Sequence, residues 1–130
     1  MVNYKNAKIY MIKSPENDKV YIGSTTYTLR QRLQSHYKDL RRNKYCTAQD
    51  LLMTGNYEML LIEKYPCDNS RELKERERFF IENFNTINKV IPLQTQKEYY
   101  YKNREKLLQY KKDRYKKKNL LKEITLLQTK

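Results

Sequence analysis

The stretch Lys8–His36, KIYMIKSPENDKVYIGSTTYTLRQRLQSH, decides the fold. Ala7–Lys13 is rich in β-branched and aromatic residues and predicts a strand. Ser14–Lys19 supplies turn chemistry through Pro15, Asn17 and Asp18, and Val20–Ser24 predicts a second strand. A connection this short predicts an antiparallel hairpin. Side chains alternate faces along a strand, which puts Tyr10 with Lys8 and Ile12, and Tyr21 with Gly23. Gly23, lacking a side chain, predicts an open surface beside Tyr21 that a backbone or a phosphate can approach. Thr28 is a good N-cap for a helix running to about Arg41, with Leu29, Leu33, Tyr37 and Leu40 as its buried stripe. Arg32 and His36, four residues apart, stack on the flank of that stripe.

Further along, Cys46–Met53 predicts a short helix stopped near Gly55, and Asn56–Tyr65 a third strand ended by Pro66. Asp68, Asn69 or Ser70 caps a helix over about Arg71–Asn83, where Leu73, Phe80 and Phe84 face the core. Residues 85–92 form an irregular or short extended segment. From Thr95 the composition changes to a run without Gly or Pro, dense in Lys, Tyr and Leu. Tyr101, Leu108 and Tyr115 recur every seven residues there, predicting one or two basic amphipathic helices beyond the globular part.

The chain has 130 residues, 38% apolar and 33% charged, with a mean hydropathy of −1.04. That suits one modest core with much of the chain facing water. The net charge is +13, which favours a polyanionic partner, nucleic acid before an acidic membrane surface. Residues 1–93 carry 16 Lys/Arg against 11 Asp/Glu, and residues 94–130 carry 12 against 4, so most of the excess sits at the C-terminal end. Two cysteines without CxxC spacing and a single histidine are too few for a four-ligand zinc site. The only glycines, Gly23 and Gly55, make no phosphate-cradling loop, and no serine sits in a nucleophile elbow. No apolar run approaches a membrane span, and an intracellular location, in cytoplasm or nucleus, is expected.

Taken in order, Lys8-Ile9-Tyr10, Tyr21-Ile22-Gly23, Arg32 and His36 in RxxxH spacing, a glutamate in ERERFFI and a later asparagine resemble the GIY-YIG endonuclease family. The resemblance covers roughly residues 7–93. The Lys/Tyr/Asn-rich ending looks like the small GIY-YIG proteins of large DNA viruses, which adds the expectation of a virus-encoded protein acting in a host cell.

The resemblance implies an α+β fold, a three-stranded antiparallel sheet flanked by helices, over residues 1–93, with a basic helical tail over 94–130. It implies a metal-dependent endonuclease that hydrolyses DNA phosphodiesters with one Mg²⁺ or Mn²⁺ ion, leaving a 5′-phosphate and a 3′-hydroxyl. DNA is then the partner, with no membrane and no small-molecule cofactor. Glu77 would hold the metal and Arg32 would contact the scissile phosphate. Tyr10 would be the base or the water-positioning group, which needs nearby positive charge or a relay because a free tyrosine has a pKa of about 10. His36 would be that relay or an orienting group, and Tyr21 would add a hydrogen bond. Asn88 best fits the family asparagine, with Asn83 and Asn85 as alternatives. Glu75 competes with Glu77 as a ligand, although the two face opposite sides of a helix. Lys8 stands where the family usually has Gly.

Each of these residues also has an ordinary structural reading: strand tyrosines as packing, Arg32 and His36 as a solvated helix flank, and Glu77 as part of an ion-paired face. The second functional class is a non-catalytic nucleic-acid-binding protein that retains the nuclease fold. The tail offers Lys102, Arg104, Lys111, Lys112, Arg114, Lys116, Lys117 and Lys118 as phosphate contacts, with tyrosines between them for stacking. It carries no recognisable base-reading module, so low intrinsic sequence specificity is expected. Oligomeric state is left open by the sequence.

Overall fold

A computed structural model describes residues 2–128. The chain divides into two compact units, Met1–Leu93 and Gln94–Lys130. In the first, β1 (Lys8–Ser14), β2 (Asn17–Thr25) and β3 (Glu58–Lys64) form an antiparallel sheet in the order β2-β1-β3. The hairpin is tighter than the sequence predicts. Ser14 pairs with Asn17, so the turn is only Pro15–Glu16 and β2 begins at Asn17 rather than Val20. Asn17 and Asp18 serve as strand residues because a two-residue turn needs only Pro15 and Glu16 at its corner.

Helix α1 (Leu29–Arg41) opens on a full capping box. The Thr28 hydroxyl accepts from the Gln31 N–H at 3.1 Å, and the Gln31 side chain accepts from the Thr28 N–H at 3.0 Å. Helix α2 is a single turn, Gln49–Leu52, ended before Gly55, whose φ of 73° a side chain would disfavour. Helix α3 (Ser70–Asn83) takes Asn69 as its cap. Its Arg76 makes two hydrogen bonds to Glu63 of β3, at 2.8 and 2.7 Å, and lies over the Phe79 and Phe80 rings.

The two faces of the sheet follow the alternation along β1 and β2. Ile9 and Ile22 pack with Leu73, Phe80 and Ile81 of α3, while Tyr10, Ile12 and Tyr21 pack with Ala48, Leu51 and Leu52 and with Leu29 and Leu33 of α1. Two side chains depart from expectation. Phe84 is exposed and Ile81 takes its place in the core, since the helix ends at Asn83 and the chain turns extended at Phe84. In α1 the apolar stripe is only half-buried and His36 is its one buried residue, at 0% exposure. His36 lies at the edge of that stripe by spacing, yet it faces inward and is more deeply buried than any of the stripe's apolar residues.

The outer edge of β2 is covered by residues 85–88. The Val20 N–H donates to the Asn85 carbonyl at 3.0 Å, and the Ile87 N–H donates to the Val20 carbonyl at 2.9 Å. The Asn88 amide then continues the ladder in place of a peptide group, accepting from the Ile22 N–H at 3.0 Å and donating to its carbonyl at 2.8 Å. A strand edge closed this way is no template for stray pairing.

The second unit is one continuous helix, α4 (Gln96–Gln128), rather than a pair. It is not amphipathic over its length. At 3.6 residues per turn, Tyr99–Tyr101, Leu107–Leu108, Leu120–Leu121 and Leu126–Leu127 spread around the whole circumference. The eight basic side chains expected to touch phosphate, from Lys102 to Lys118, are all exposed on it.

Candidate active site

Tyr10 lies across the sheet from Gly23, and that pairing explains the glycine. A Cβ built on Gly23 would sit 2.5 Å from both Cζ and the hydroxyl oxygen of Tyr10. Gly23 is therefore buried under a ring. The expected open, phosphate-accessible surface at this position is filled by Tyr10 itself.

The Tyr10 hydroxyl, at 0% exposure, joins two residues of α1. Its oxygen is 2.9 Å from Nε2 of His36 and accepts from Nε of Arg32 at 3.2 Å. Arg32 also donates through one terminal nitrogen to the Ser35 hydroxyl at 3.2 Å. Tyr21 completes an aromatic cluster, with its ring centroid 6.3 Å from that of Tyr10 and 5.8 Å from that of His36, edge to face with the histidine. The i, i+4 spacing of Arg32 and His36 on α1 presents both to one tyrosine. Among the described residues Nδ1 of His36 is buried with no partner, so Tyr10 is the only hydrogen-bond partner they offer this imidazole.

Burial governs the proton chemistry of the cluster. It pushes the Tyr10 hydroxyl up to about 12, with the Arg32 charge and hydrogen bond pulling the other way. It pushes Tyr21 higher still, with Tyr10 and the Cys46 thiol adding to the shift. The same desolvation, helped by Arg32, lowers His36 to about 4, so the imidazole is neutral at pH 7. The nearby positive charge that a tyrosine base would require is present, but it does not outweigh desolvation.

Glu77 reaches the same region from α3. It shares a cavity of about 420 Å³ with Tyr21, Cys46, Asn88 and Lys89. Burial raises its carboxyl above the ordinary range, while Ser24, Arg32 and Lys74 draw it down. Glu75 points elsewhere, exposed and paired with Arg71 at 3.2 Å, which separates the two candidate ligands. Among the alternatives to Asn88, Asn83 is exposed and bonded back to the Phe79 carbonyl, and Asn85 is exposed, contributing its backbone carbonyl to Val20. Asn88 is the asparagine at the site, but both ends of its amide are committed to Ile22, so it holds β2 and the neighbouring Tyr21 in place.

Ser24, Ser35 and Cys46 escaped the sequence reading. Ser24 faces Glu77, Ser35 anchors Arg32, and the Cys46 thiol lies 3.8 Å from the Tyr21 hydroxyl. Nothing in a lone serine or cysteine announces such a place. Among the described residues no three His, Cys, Asp or Glu side chains cluster as a metal cage. A single half-buried carboxylate opening onto a cavity beside an arginine fits a hard cation that keeps most of its ligands as water and phosphate oxygens.

A three-stranded antiparallel sheet between helices, with tyrosines on its paired strands meeting an arginine and a histidine from α1, defines a nuclease-type catalytic domain. The family model for the GIY-YIG catalytic domain matches residues 6–91, and the chain belongs to that family. Its fold is similar to the catalytic domain of the homing endonuclease I-TevI, with a TM-score of 0.52 and 28% identity, over 65% of this chain and 98% of that domain. A Glu-to-Ala mutant of the catalytic domain of intron endonuclease I-TevI matches with a TM-score of 0.54 and 28% identity, over 65% of this chain and 94% of that one. An uncharacterized protein, 019R of invertebrate iridescent virus 6, is 28% identical over 85 residues, 63% of this chain. The chain spans about 30% of the length of that relative. Among the described residues no helix is long and apolar enough to cross a membrane.

Proposed function

We propose that the chain is a metal-dependent DNA endonuclease that hydrolyses phosphodiester bonds at the Tyr10–Arg32–His36–Glu77 site. The observation that carries the reading is the junction of Tyr10, Arg32 and His36 through one phenolic oxygen, with Glu77 brought beside it from another helix. Two of these four polar side chains, Tyr10 and His36, are taken out of water and the other two are half-buried, an arrangement that costs stability and is typical of sites built for chemistry.

In this reading Arg32 meets the scissile phosphate. Its Nε is held by Tyr10 and one terminal nitrogen by Ser35, so its charge is aimed before the substrate arrives. Tyr10, neutral to about pH 12, works as the orienting and water-positioning group in preference to the base. His36 fixes the Tyr10 hydroxyl by its 2.9 Å bond and stays neutral, which keeps a second positive charge away from Arg32. Glu77 would hold one Mg²⁺ or Mn²⁺ ion. Bound there, the ion supplies charge neutralisation at the phosphate and at the leaving oxygen. Asn88 acts through β2 as a positioning residue. The basic side chains of α4 add sequence-independent attraction for DNA, and removing residues 94–130 should weaken binding and flatten its salt dependence. An unchanged salt slope in the shortened chain would remove the tail from this account.

The test is nicking of supercoiled plasmid with Mg²⁺ or with EDTA. Wild type is compared with Tyr10→Phe, Arg32→Ala and Glu77→Gln, and binding is measured in parallel. Metal-dependent nicking that falls by roughly 10²-fold or more in Arg32→Ala and Glu77→Gln, with binding retained, supports the reading. Binding without cleavage in any divalent metal would instead identify a DNA-binding protein that keeps the nuclease fold.

A further inference from the structure

Lys8 and Lys64 face each other across β1 and β3. Like charges directly opposite on paired strands destabilise a sheet. Elsewhere on the same pair of strands the arrangement is the ordinary one: Lys13 faces Glu58, with 3.6 Å between the charged atoms. The Lys8 ammonium donates to the Tyr27 carbonyl at 2.7 Å, and burial together with Lys64 lowers its pKa. A like-charged pair thus faces across the strands at this end, and Lys8 stands where the resemblance leads one to expect glycine.

The pair lines a cleft of about 830 Å³ that contains no carboxylate side chain. Beside it lies a second cleft, of about 880 Å³, between α1 and the start of α3, which contains Arg32, Lys38, Arg41 and Lys74 and again no carboxylate. The two share Tyr27 and Gln31 on their walls, so they are parts of one groove that leads to Arg32. The N-terminal unit carries 11 Asp and Glu residues, and none lines this groove. Crowded cations on an elongated surface call for a ligand with negative charge repeated along its length. A single phosphate would need one such cluster, whereas a nucleic-acid backbone needs several in a row.

We propose that a nucleic-acid strand lies in this groove, with successive phosphates against the Lys8–Lys64 pair and against Lys38, Arg41 and Lys74, and reaches Arg32 past Tyr27. The inference rests on the nuclease reading for its direction toward Arg32, but its measurement is one of binding.

The experiment uses the full chain in EDTA and follows the binding of a short DNA duplex by anisotropy across a salt series. Lys64→Glu converts the like-charged pair into an ion pair resembling Lys13–Glu58. Its melting temperature should hold or rise while its binding weakens, so misfolding cannot imitate the result. The slope of log K against log salt should become shallower by about 2, since roughly 0.9 is lost for each phosphate contact and both lysines are withdrawn. The pair Lys38→Ala/Arg41→Ala should lose a similar amount. Lys13→Ala/Lys19→Ala, which removes the same net charge as Lys64→Glu, should lose less than half as much. A Lys64→Glu slope equal to that of the Lys13/Lys19 control would overturn the groove. If the slopes separate as expected but wild type cuts DNA in no divalent metal, the groove stands and the nuclease reading falls. If wild type cuts and the slopes do not separate, the reverse holds.

Discussion

Removing one oxygen atom should expose how tightly the site is built. In Tyr10→Phe the ring still fills the space over Gly23, but Arg32 loses its acceptor at 3.2 Å and His36 loses its partner at 2.9 Å. His36 has no escape to water, and its other ring nitrogen is already without a partner, so the imidazole is left buried and wholly unsatisfied. Stranding such a group costs about 1–3 kcal/mol, and the lost bond from Arg32 adds a smaller amount because a half-buried guanidinium can turn toward solvent. A total of about 2–3 kcal/mol corresponds to a fall in Tm of roughly 10–20 °C for a unit of this size. The second variant, Tyr10→Phe/His36→Leu, removes both polar partners together. It should recover to within about 1 kcal/mol of wild type, because nothing polar is then stranded at that position. Cleavage should stay low in both variants, since Arg32 loses the Tyr10 acceptor of its Nε in each and keeps only Ser35. Melting followed by near-UV circular dichroism reads the buried tyrosines, and nicking assays at a temperature where all three proteins are folded read the activity. A Tyr10→Phe protein that melts with wild type, or a double variant that melts as low as the single one, would refute the account of His36 as a histidine satisfied only by Tyr10.

Three further outcomes follow from the same geometry. Gly23→Ala places a methyl group 2.5 Å from the Tyr10 hydroxyl and should cost about 1–3 kcal/mol while driving that hydroxyl off His36 and Arg32; wild-type melting and nicking together would contradict it. His36 has a folded pKa of about 4 against an ordinary 6.5, so the stability it contributes is present above pH 6.5 and lost as pH falls toward 4. The loss amounts to up to about 3 kcal/mol, and subtracting the urea-denaturation profile of His36→Leu should isolate it; parallel profiles for the two proteins across that range would count against the buried neutral imidazole. Asn88→Ala removes both bonds to Ile22 and should cost about 1–2 kcal/mol, with hydrogen exchange at the Ile22 amide accelerating; continued protection of that amide would mean that the Asn88 side chain does not close the edge of β2.

Local rules written into the chain were enough for the elements and for most of the site. Alternation along Lys8–Ser14 and Asn17–Thr25 separates the two faces of the sheet, and the Thr28–Gln31 box starts α1 where the sequence says it should. The ordered tyrosines, RxxxH spacing and glutamate were legible because side chains at fixed intervals on regular elements share a face. What the sequence could not determine is which polar groups leave water. Spacing put His36 on the flank of the α1 stripe, and only the tertiary fold, by placing the Tyr10 hydroxyl 2.9 Å away, lets it be buried. Gly23 could be recognised as a gap but not as the seat of a ring carried by the neighbouring strand. Asn88 was already the favoured one of three asparagines, but its bonds to Ile22 exist only because residues 85–88 lie along β2. The Lys8–Lys64 opposition, between residues 56 positions apart in sequence, exists only because β1 and β3 pair in that register. In each instance the deciding quantity is a through-space distance between elements, which one-dimensional spacing does not contain.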